Sequence, residues 1–514
     1  MMGILRTILF AATGLAATGA AFAQQTDSAS LFRTQREHAS PVAALAATAY
    51  ATPALRSEAF AGSLSEISVG YEMRREEKAL EQQKGDGGDF GRFSAGSYKH
   101  ISGKGTVWGD AGYLRGAKRN VVWNASSDYD LVFPYVVADS IGGDLTSEEY
   151  TFGGGYGHRS GRYTWALEAG ARALHEYRDS DPRIRNVAID IDAGAGASVR
   201  MGNYRLGLSA ALRVYKQSGS QIQYAHSAGE KGVYHLSGLG SHYAGFEGNA
   251  NSQTRYRGSG YGLTLALVPD AGRGGLHLAA GYEYLHIEKE LPGSADLVLQ
   301  KVVPRSFHAE AAWLRGSGNG LRWGVALKAR YDYRRGDEGI VDDNNSSQGS
   351  GTLGFLTLFE YSALQGRAEA VFGVEAAGHA WYLCPWGEYR RRTSDYLYPA
   401  QTMEFSRAGG GVDFRCVLQR RSLLLRLEAG GGYTAGLDSG LTLPVADLAA
   451  PLVRMVQYDY DRLRQDAATF RLGLRADYAL RRRMSLFLAA DYGGGLYGDN
   501  TAAHHARVAC GIAF

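Results

Sequence analysis

Residues able to do acid–base work are few in this chain, and the sharpest set is His308 and Glu310 with Lys328. His308 and Glu310 stand two apart, so an extended backbone points both to one side. The turn count places Lys328 beside them on the following strand. An imidazole next to a carboxylate can pass a proton, but charge pairs that fill and stiffen a polar interior account equally for the spacing and are far commoner. Asp190 and Asp192 are a second carboxylate pair on one face. Arg213 falls opposite them, and an ion pair is the simpler account.

Metal and cofactor chemistry fares no better. His504 and His505 are adjacent, so they face opposite sides of a strand and do not suit one metal ion. The run Asp342-Asp343-Asn344-Asn345 offers oxygen ligands but lacks the glycine and closing glutamate of a calcium loop. Gly153-Gly154-Gly155 and Gly430-Gly431-Gly432 lie inside strand patterns with no helix after them, which marks bends or close approaches rather than phosphate loops. The 3 cysteines, Cys384, Cys416 and Cys510, form neither an even framework nor a C-x-x-C pair. Cys416 and Cys510 sit on the apolar register of strands. No catalytic residue, metal ligand or cofactor is therefore assigned, and an enzyme, specifically an outer-membrane hydrolase, is the least favoured reading.

The elements that carry these residues are strands. The chain has 514 residues, with 69 Gly and 32 Tyr but only 11 Pro, and no apolar run after the first two dozen residues is long enough for a membrane helix. From Gly62 to Phe514 apolar and polar residues alternate. Between Arg162 and Tyr177, for example, Tyr163, Trp165, Leu167, Ala169, Ala171 and Ala173 form one face, and Arg162, Thr164, Glu168, Arg172 and Glu176 the other. A helix would mix the two sets. In Leu321 to Tyr333 the aromatics stand at the ends, where the girdles of a membrane barrel belong.

Hairpin pairing tests this reading, because residues opposite one another must share a face. Counting outward from the turn Gly202-Asn203 sets Val199 against Leu206, Ala197 against Leu208, Ala193 against Leu212 and Asp192 against Arg213. A hairpin centred on Arg481 sets Leu472 against Ala490, Leu474 against Leu488 and Arg471 against Asp491. Tight turns are expected near Ser102-Gly103, Ser160, Gly202-Asn203, Pro269 to Gly274, Gly316 to Asn319, Leu364-Gln365, Gln419-Arg420 and Arg481. Long loops are expected at Glu76 to Asp89, Gly116 to Thr146, Ser218 to Gln253, Leu291 to Val303, Gly336 to Gly349, Cys384 to Ala400 and Gly436 to Gln465. The predicted fold is all-β, a transmembrane antiparallel up-and-down barrel of about 18 strands, with about 16 as the alternative, short periplasmic turns and long extracellular loops.

Both ends agree with that fold. Residues 1–23 read as a signal peptide, with Arg6, an apolar stretch from Thr7 to Ala20 and the site Ala21-Phe22-Ala23. Residues 24–61 form a segment that hangs in the periplasm or plugs the lumen, and 62–514 form the barrel. The last strand ends Ala506, Val508, Cys510, Ile512, Phe514 on its outer face. An apolar alternation closing on Phe514 is the assembly signal of outer-membrane proteins, which places the chain in the outer membrane of a Gram-negative bacterium.

The loop Arg119-Asn-Val-Val-Trp123-Asn124-Ala-Ser126-Ser127-Asp128-Tyr129-Asp130, followed by Phe133-Pro134-Tyr135 and Gly143-Asp144, resembles a stretch found in a family of uncharacterised bacterial outer-membrane barrels. The resemblance extends over most of the mature chain. It implies a barrel in the outer membrane and carries no activity to transfer.

A barrel of this size leaves an aqueous lumen unless something fills it. The residues expected to line it are Glu168, Arg172, Asp192, Arg213, His308, Glu310, Lys328, Arg330, Asp413, Arg426, Arg471 and Asp491. Both signs are present, matching the near balance of 55 basic and 52 acidic residues, which argues against nucleic acid and against strong ion selectivity. The leading expectation is a channel or uptake pore for a small hydrophilic or amphipathic solute. The alternative is a surface-binding or accessory barrel working with another outer-membrane transporter. Residues 24–61 are too few for the globular plug of a TonB-dependent receptor. Expected partners are outer-membrane lipid and the barrel-assembly machinery, with a TonB-dependent transporter or a surface lipoprotein as a further candidate.

Overall fold

The computed structural model describes residues 29–219, 233–243, 253–270, 273–292, 297–316, 320–341, 352–444, 450–481 and 483–514. The expected leader at 1–23 and the Asp342–Asn345 run lie outside them. Among the described residues, one 18-stranded antiparallel sheet closes on itself. Its strands are β1 Leu64–Glu76, β2 Gly87–His100, β3 Gly105–Val121, β5 Gly143–Ser160, β6 Tyr163–Tyr177, β7 Arg185–Met201, β8 Tyr204–Gly219, β11 Thr254–Pro269 and β12 Gly275–Leu291. They continue as β13 Leu297–Arg315, β14 Gly320–Val341, β15 Thr352–Glu375, β16 His379–Tyr396, β17 Gln401–Arg420, β18 Leu423–Thr442, β19 Ala467–Arg481, β20 Met484–Tyr497 and β21 Ala502–Ala513. A smaller sheet joins β4 Val137–Asp139, β9 Val233–Gly238 and β10 Ser241–His242.

Closure runs through β1 and β21, where Ile67 faces Ile512 and Val69 faces Cys510. Phe514 extends the seam by a reciprocal backbone pair with Ser65, at 2.7 and 2.8 Å. Along each strand the outward residues are large and apolar: Trp165 is 45% and Leu167 57% exposed, whereas Ala166 between them is 1% exposed. A complete belt of exposed Leu, Val, Ile and aromatic side chains is stable only against hydrocarbon. Cys416 shares the outward face with Trp381.

The β7–β8 register agrees with the count from Gly202-Asn203 at all four pairs, because a two-residue turn leaves no freedom of phase. Others differ. Leu364-Gln365 is no turn: β15 runs straight through it, with Leu364 paired to Tyr331 on one side and Arg391 on the other. The β15–β16 turn lies at 376–378, and most of the loop expected at Cys384 to Ala400 is strand β16. The β19–β20 register is displaced by two from the expected one, with Leu474 facing Ala490 and Gly473 facing Asp491. The turn lies beyond Arg481, which pairs with Met484, and a bulge sits at Ala479. A slip of two preserves the face of every side chain, so the inside–outside assignment survives. The loops expected at Leu291 to Val303 and Gly116 to Thr146 are shorter than expected, because the strands beside them continue past the membrane band.

Four short helices precede β1: α1 Ala29–His38, α2 Pro41–Ala44, α3 Ala47–Tyr50 and α4 Pro53–Arg56. Ser40 caps α2, and proline opens α2 and α4, where a missing N–H costs nothing. These helices touch inward-facing side chains all round the short-turn end of the barrel. Phe32 packs on Leu424 and Ala479. Val42, Leu45 and Ala46 meet Ala312, Ala326, Val371, Ala380 and Tyr382. Ala49 and Leu55 meet Ala266, Val268 and Ala279, while Ala54 meets Tyr98, Trp108 and Ala166. The wall is alanine-rich there, which leaves room for a helix inside it.

Candidate functional site

The β3–β5 connection, residues 122–142, folds inward across the other mouth of the barrel. It carries α5 Tyr129–Val132 and β4. Its Trp123, Val132, Tyr135, Val136 and Ala138 pack against inward residues of many strands, among them Tyr215, Tyr256, Ile287, Phe359 and Tyr396. Helix α6 Pro451–Leu463, from the β18–β19 loop, lies on top through Leu452, Met455 and Val456. Polar anchors fix this cap. Asp128, in the left-handed region at φ 52°, receives both Nη atoms of Arg172 at 3.1 and 2.7 Å and the hydroxyl of Tyr215 at 3.0 Å. Arg178 and Asp139 form an ion pair at 3.2 Å with both side chains fully buried. Arg334 donates to the carbonyls of Phe133 and Asp130. Arg392 lies over the rings of Phe133 and Tyr361 at 5.8 and 5.3 Å.

Beneath the cap lies a chamber of about 750 Å³, bounded by Tyr129, Phe133, Arg172, Asp190, Asp192, Arg213, Glu283, Arg330, Asp332 and Tyr361. A neighbouring space of about 460 Å³ shares Tyr129, Arg172, Asp190 and Arg213 with it. Ion pairs line the walls. Glu168 meets Arg56 of α4 at 3.9 Å, and Arg172 also reaches Glu149 at 2.7 Å. Lys328 lies 3.8 Å from Glu310 and 2.7 Å from Glu369, and Arg330 lies 3.0 Å from Asp332. Arg426 meets Asp477 at 3.3 Å.

The expected ion pair of Arg213 forms with Asp190 of the two aspartates, and the pairing expected of Arg471 takes another partner. Arg213 faces Asp192 in register but turns to Asp190, binding it through Nε at 2.9 Å and Nη2 at 2.6 Å. The bidentate geometry available one step along the strand outweighs direct opposition. Asp192 is left over Gly170, facing the chamber. Arg471 does not meet Asp491; it crosses β18 to Asp413 at 2.5 Å. Gly430 permits this, since a Cβ there would collide with the Asp413 carboxylate, so this glycine of the triple cluster is a close approach. Asp491 lies over Gly473.

His308 does not join Glu310 and Lys328. It stands opposite Arg330 and packs over Gly281, while Glu310 stands opposite Lys328. Among the described residues no three His, Cys, Asp or Glu side chains are grouped as a metal site would need. Of the residues that hold the cap, Asp139, Arg178, Arg334 and Arg392 carry no signal in the sequence, and Asp128 stands out only within the loop stretch from Arg119 to Asp130. Their partners lie in loops or on distant strands, and only the run Ser126-Ser127-Asp128, rich in turn formers, marks the place.

The cap is also sensitive to pH through α6. Asp459 accepts from the side chain of Gln83 at 2.7 Å and from the backbone of Gln82 at 3.3 Å. Burial, reinforced by the nearby Glu81 carboxylate and opposed by Gln83, Gln82 and Arg392, raises its pKa from 3.8 to about 7. The folded state thus holds a proton that the unfolded chain has released between the two values, so docking of α6 weakens as pH rises from about 4 to about 7. Hydrogen exchange of α6 amides, corrected for the intrinsic pH dependence, is expected to show more opening at pH 8 than at pH 5. In Asp459→Asn that difference should vanish.

A closed antiparallel barrel with an apolar outer belt, a polar lumen and its own chain folded into both ends defines a membrane β-barrel. The chain belongs to the family of unknown function DUF6850, whose model matches residues 53–514. Similar solved structures include the ferric preacinetobactin receptor BauA from Acinetobacter baumannii, at 9% identity and a TM-score of 0.38, covering 88% of this chain and 79% of that one. The alcaligin outer-membrane receptor FauA from Bordetella pertussis is similar at 9% identity and a TM-score of 0.35, with coverage of 86% and 76%. The ferric-catecholate import receptor Fiu from E. coli K12 follows at 8% identity and a TM-score of 0.36, with coverage of 87% and 81%. No curated protein matches the sequence.

Proposed function

We propose that the protein is an outer-membrane uptake barrel for a small hydrophilic or amphipathic solute, held shut at rest by residues 29–61 on the periplasmic side and by residues 122–142 on the surface side. The observation that carries this reading is the polar chamber of about 750 Å³ that the cap covers, in a barrel whose other end holds the helices α1 to α4. A barrel serving only as a scaffold has no need to keep a polar chamber under a cap of its own chain. Charges of both signs on its walls fit a solute that is polar without being strongly anionic or cationic. Phe514 and the apolar alternation before it fit recognition by the barrel-assembly machinery.

Single-channel recording on the refolded mature chain in planar bilayers tests the proposal. The whole mature chain is expected to be silent, and the chain lacking residues 24–61 to conduct steadily once the cap is released as well. Silence in both, persisting when the cap is also released by Asp139→Ala, would transfer the reading to an accessory barrel that binds a transporter or lipoprotein through its loops.

A further inference from the structure

One cation on the outer wall, Arg305, has no ion-pair partner among the described residues. Arg305 lies on the outward face of β13, opposite Tyr284 of β12 and Tyr333 of β14. Its row belongs to an aromatic band. Tyr261 stacks on Tyr284 at 5.3 Å, Tyr282 meets Phe307 at 4.7 Å, and Phe307 faces Tyr331 in register. Phe307 is 49% and Tyr331 41% exposed, as residues at a membrane interface are.

Nearer the loops on the same wall, each of three cations has a carboxylate: Lys301 with Glu288 at 2.9 Å, Arg335 with Asp337 at 3.1 Å and Arg257 with Glu290 at 3.4 Å. Arg305 forms no ion pair among the described residues, and its Nε is buried without a hydrogen-bond partner. The hydroxyl of Tyr333 beside it is already committed to Glu360 at 3.3 Å. A guanidinium held at a hydrocarbon boundary without an anion is costly, unless the membrane supplies the anion.

Directly beneath, on the same strands, the wall is hollowed. Ala280, Ala309, Ala329 and Gly366 stand in one continuous row across β12 to β15. With Leu265 and Leu327 they border an apolar groove of about 940 Å³. Ala309 lies four residues from Arg305, roughly 13 Å along the strand, which is the spacing between a lipid headgroup and the upper part of its acyl chains.

We infer that this wall is a specific site for a phosphorylated, multiply acylated glycolipid of the outer leaflet, with phosphate on Arg305, sugar against the tyrosine band and an acyl chain in the alanine groove. Toward the loops, Lys301, Arg335 and Arg257 already hold carboxylates and compete less for that phosphate. The inference rests on the membrane orientation proposed above but not on transport, so lipid binding and conductance are read independently.

The test is titration of lipid A, and of its enzymatically dephosphorylated form, onto the detergent-solubilised mature chain, followed by native mass spectrometry. Arg305→Ala and the groove-filling pair Ala309→Phe with Ala329→Phe are each expected to weaken lipid A binding by about tenfold or more. The dephosphorylated lipid should bind the unaltered protein no better than lipid A binds Arg305→Ala. Heat-dependent electrophoretic mobility confirms that each variant is a folded barrel, and Arg305→Lys, which keeps the charge, should retain part of the affinity. Equal binding of both lipids, or wild-type affinity in either variant, overturns the site. Displacement by inorganic phosphate at the concentration of the lipid would assign a free anion site instead and equally overturn it.

Discussion

Asp139→Ala is expected to lower the opening free energy of the cap by about 3–5 kcal/mol, the cost of leaving one member of a buried ion pair alone. Arg178, its partner at 3.2 Å, is fully buried and would keep only the carbonyls of Val121 and Pro182 as acceptors. The backbone amides of Ile141 and Gly142 would also lose the Asp139 oxygen that accepts from them at 3.1 and 2.6 Å. Native-state hydrogen exchange reads the effect at Trp123 and Ala125, whose amides bond across to Asp139 and Val137. Strand amides of the barrel should be unaffected. Replacing both partners by apolar residues, Asp139→Leu with Arg178→Met, should restore much of the protection, because no charge is then left unpaired. Unchanged exchange in Asp139→Ala would show that packing alone holds the cap.

At the opposite mouth the largest effect is expected from Phe32→Ala. Phe32 is fully buried between Leu424 and Ala479, and emptying such a site costs about 3–5 kcal/mol when the surroundings cannot collapse. A β-sheet wall fixed by hydrogen bonds on both sides collapses little. The population with α1 detached should therefore rise by roughly 10²- to 4 × 10³-fold, read as trypsin cleavage at Arg33 and Arg36 in sealed vesicles that expose the short-turn end. Wild-type cleavage rates in the variant would mean that α1 is held chiefly by Gln35, which donates to Asp477 at 3.1 Å and Ser485 at 3.0 Å.

What the sequence makes legible follows from the range of each interaction. The face of a strand residue is set by its immediate neighbours, so the inward position of Arg172, Glu310 and Lys328 could be read directly. The register of β7 on β8 could be read because Gly202-Asn203 closes the hairpin in two residues. The small, polar run Ala363 to Gly366 imitates a turn, and only its pairing with strands on both sides shows otherwise. Which carboxylate each arginine selects was not legible. Arg213 chooses between Asp190 and Asp192 by side-chain geometry, and Arg471 reaches across a whole strand because Gly430 is in the way of nothing. The cap and the lumenal helices were the least accessible, since the groups that seat them are drawn from the full circumference of the barrel.

The contacts of Gln35 bear on the order in which the molecule is made. Its two partners are separated from it by 442 and 450 residues, and both stand on strands near the C-terminal end. Contacts so far apart in the chain form late. Helix α1, near the start of the described chain, therefore finds its seat only once β19 and β20 are in place. Its docking reports that the barrel is complete, and an intermediate stalled short of those strands stays unsealed.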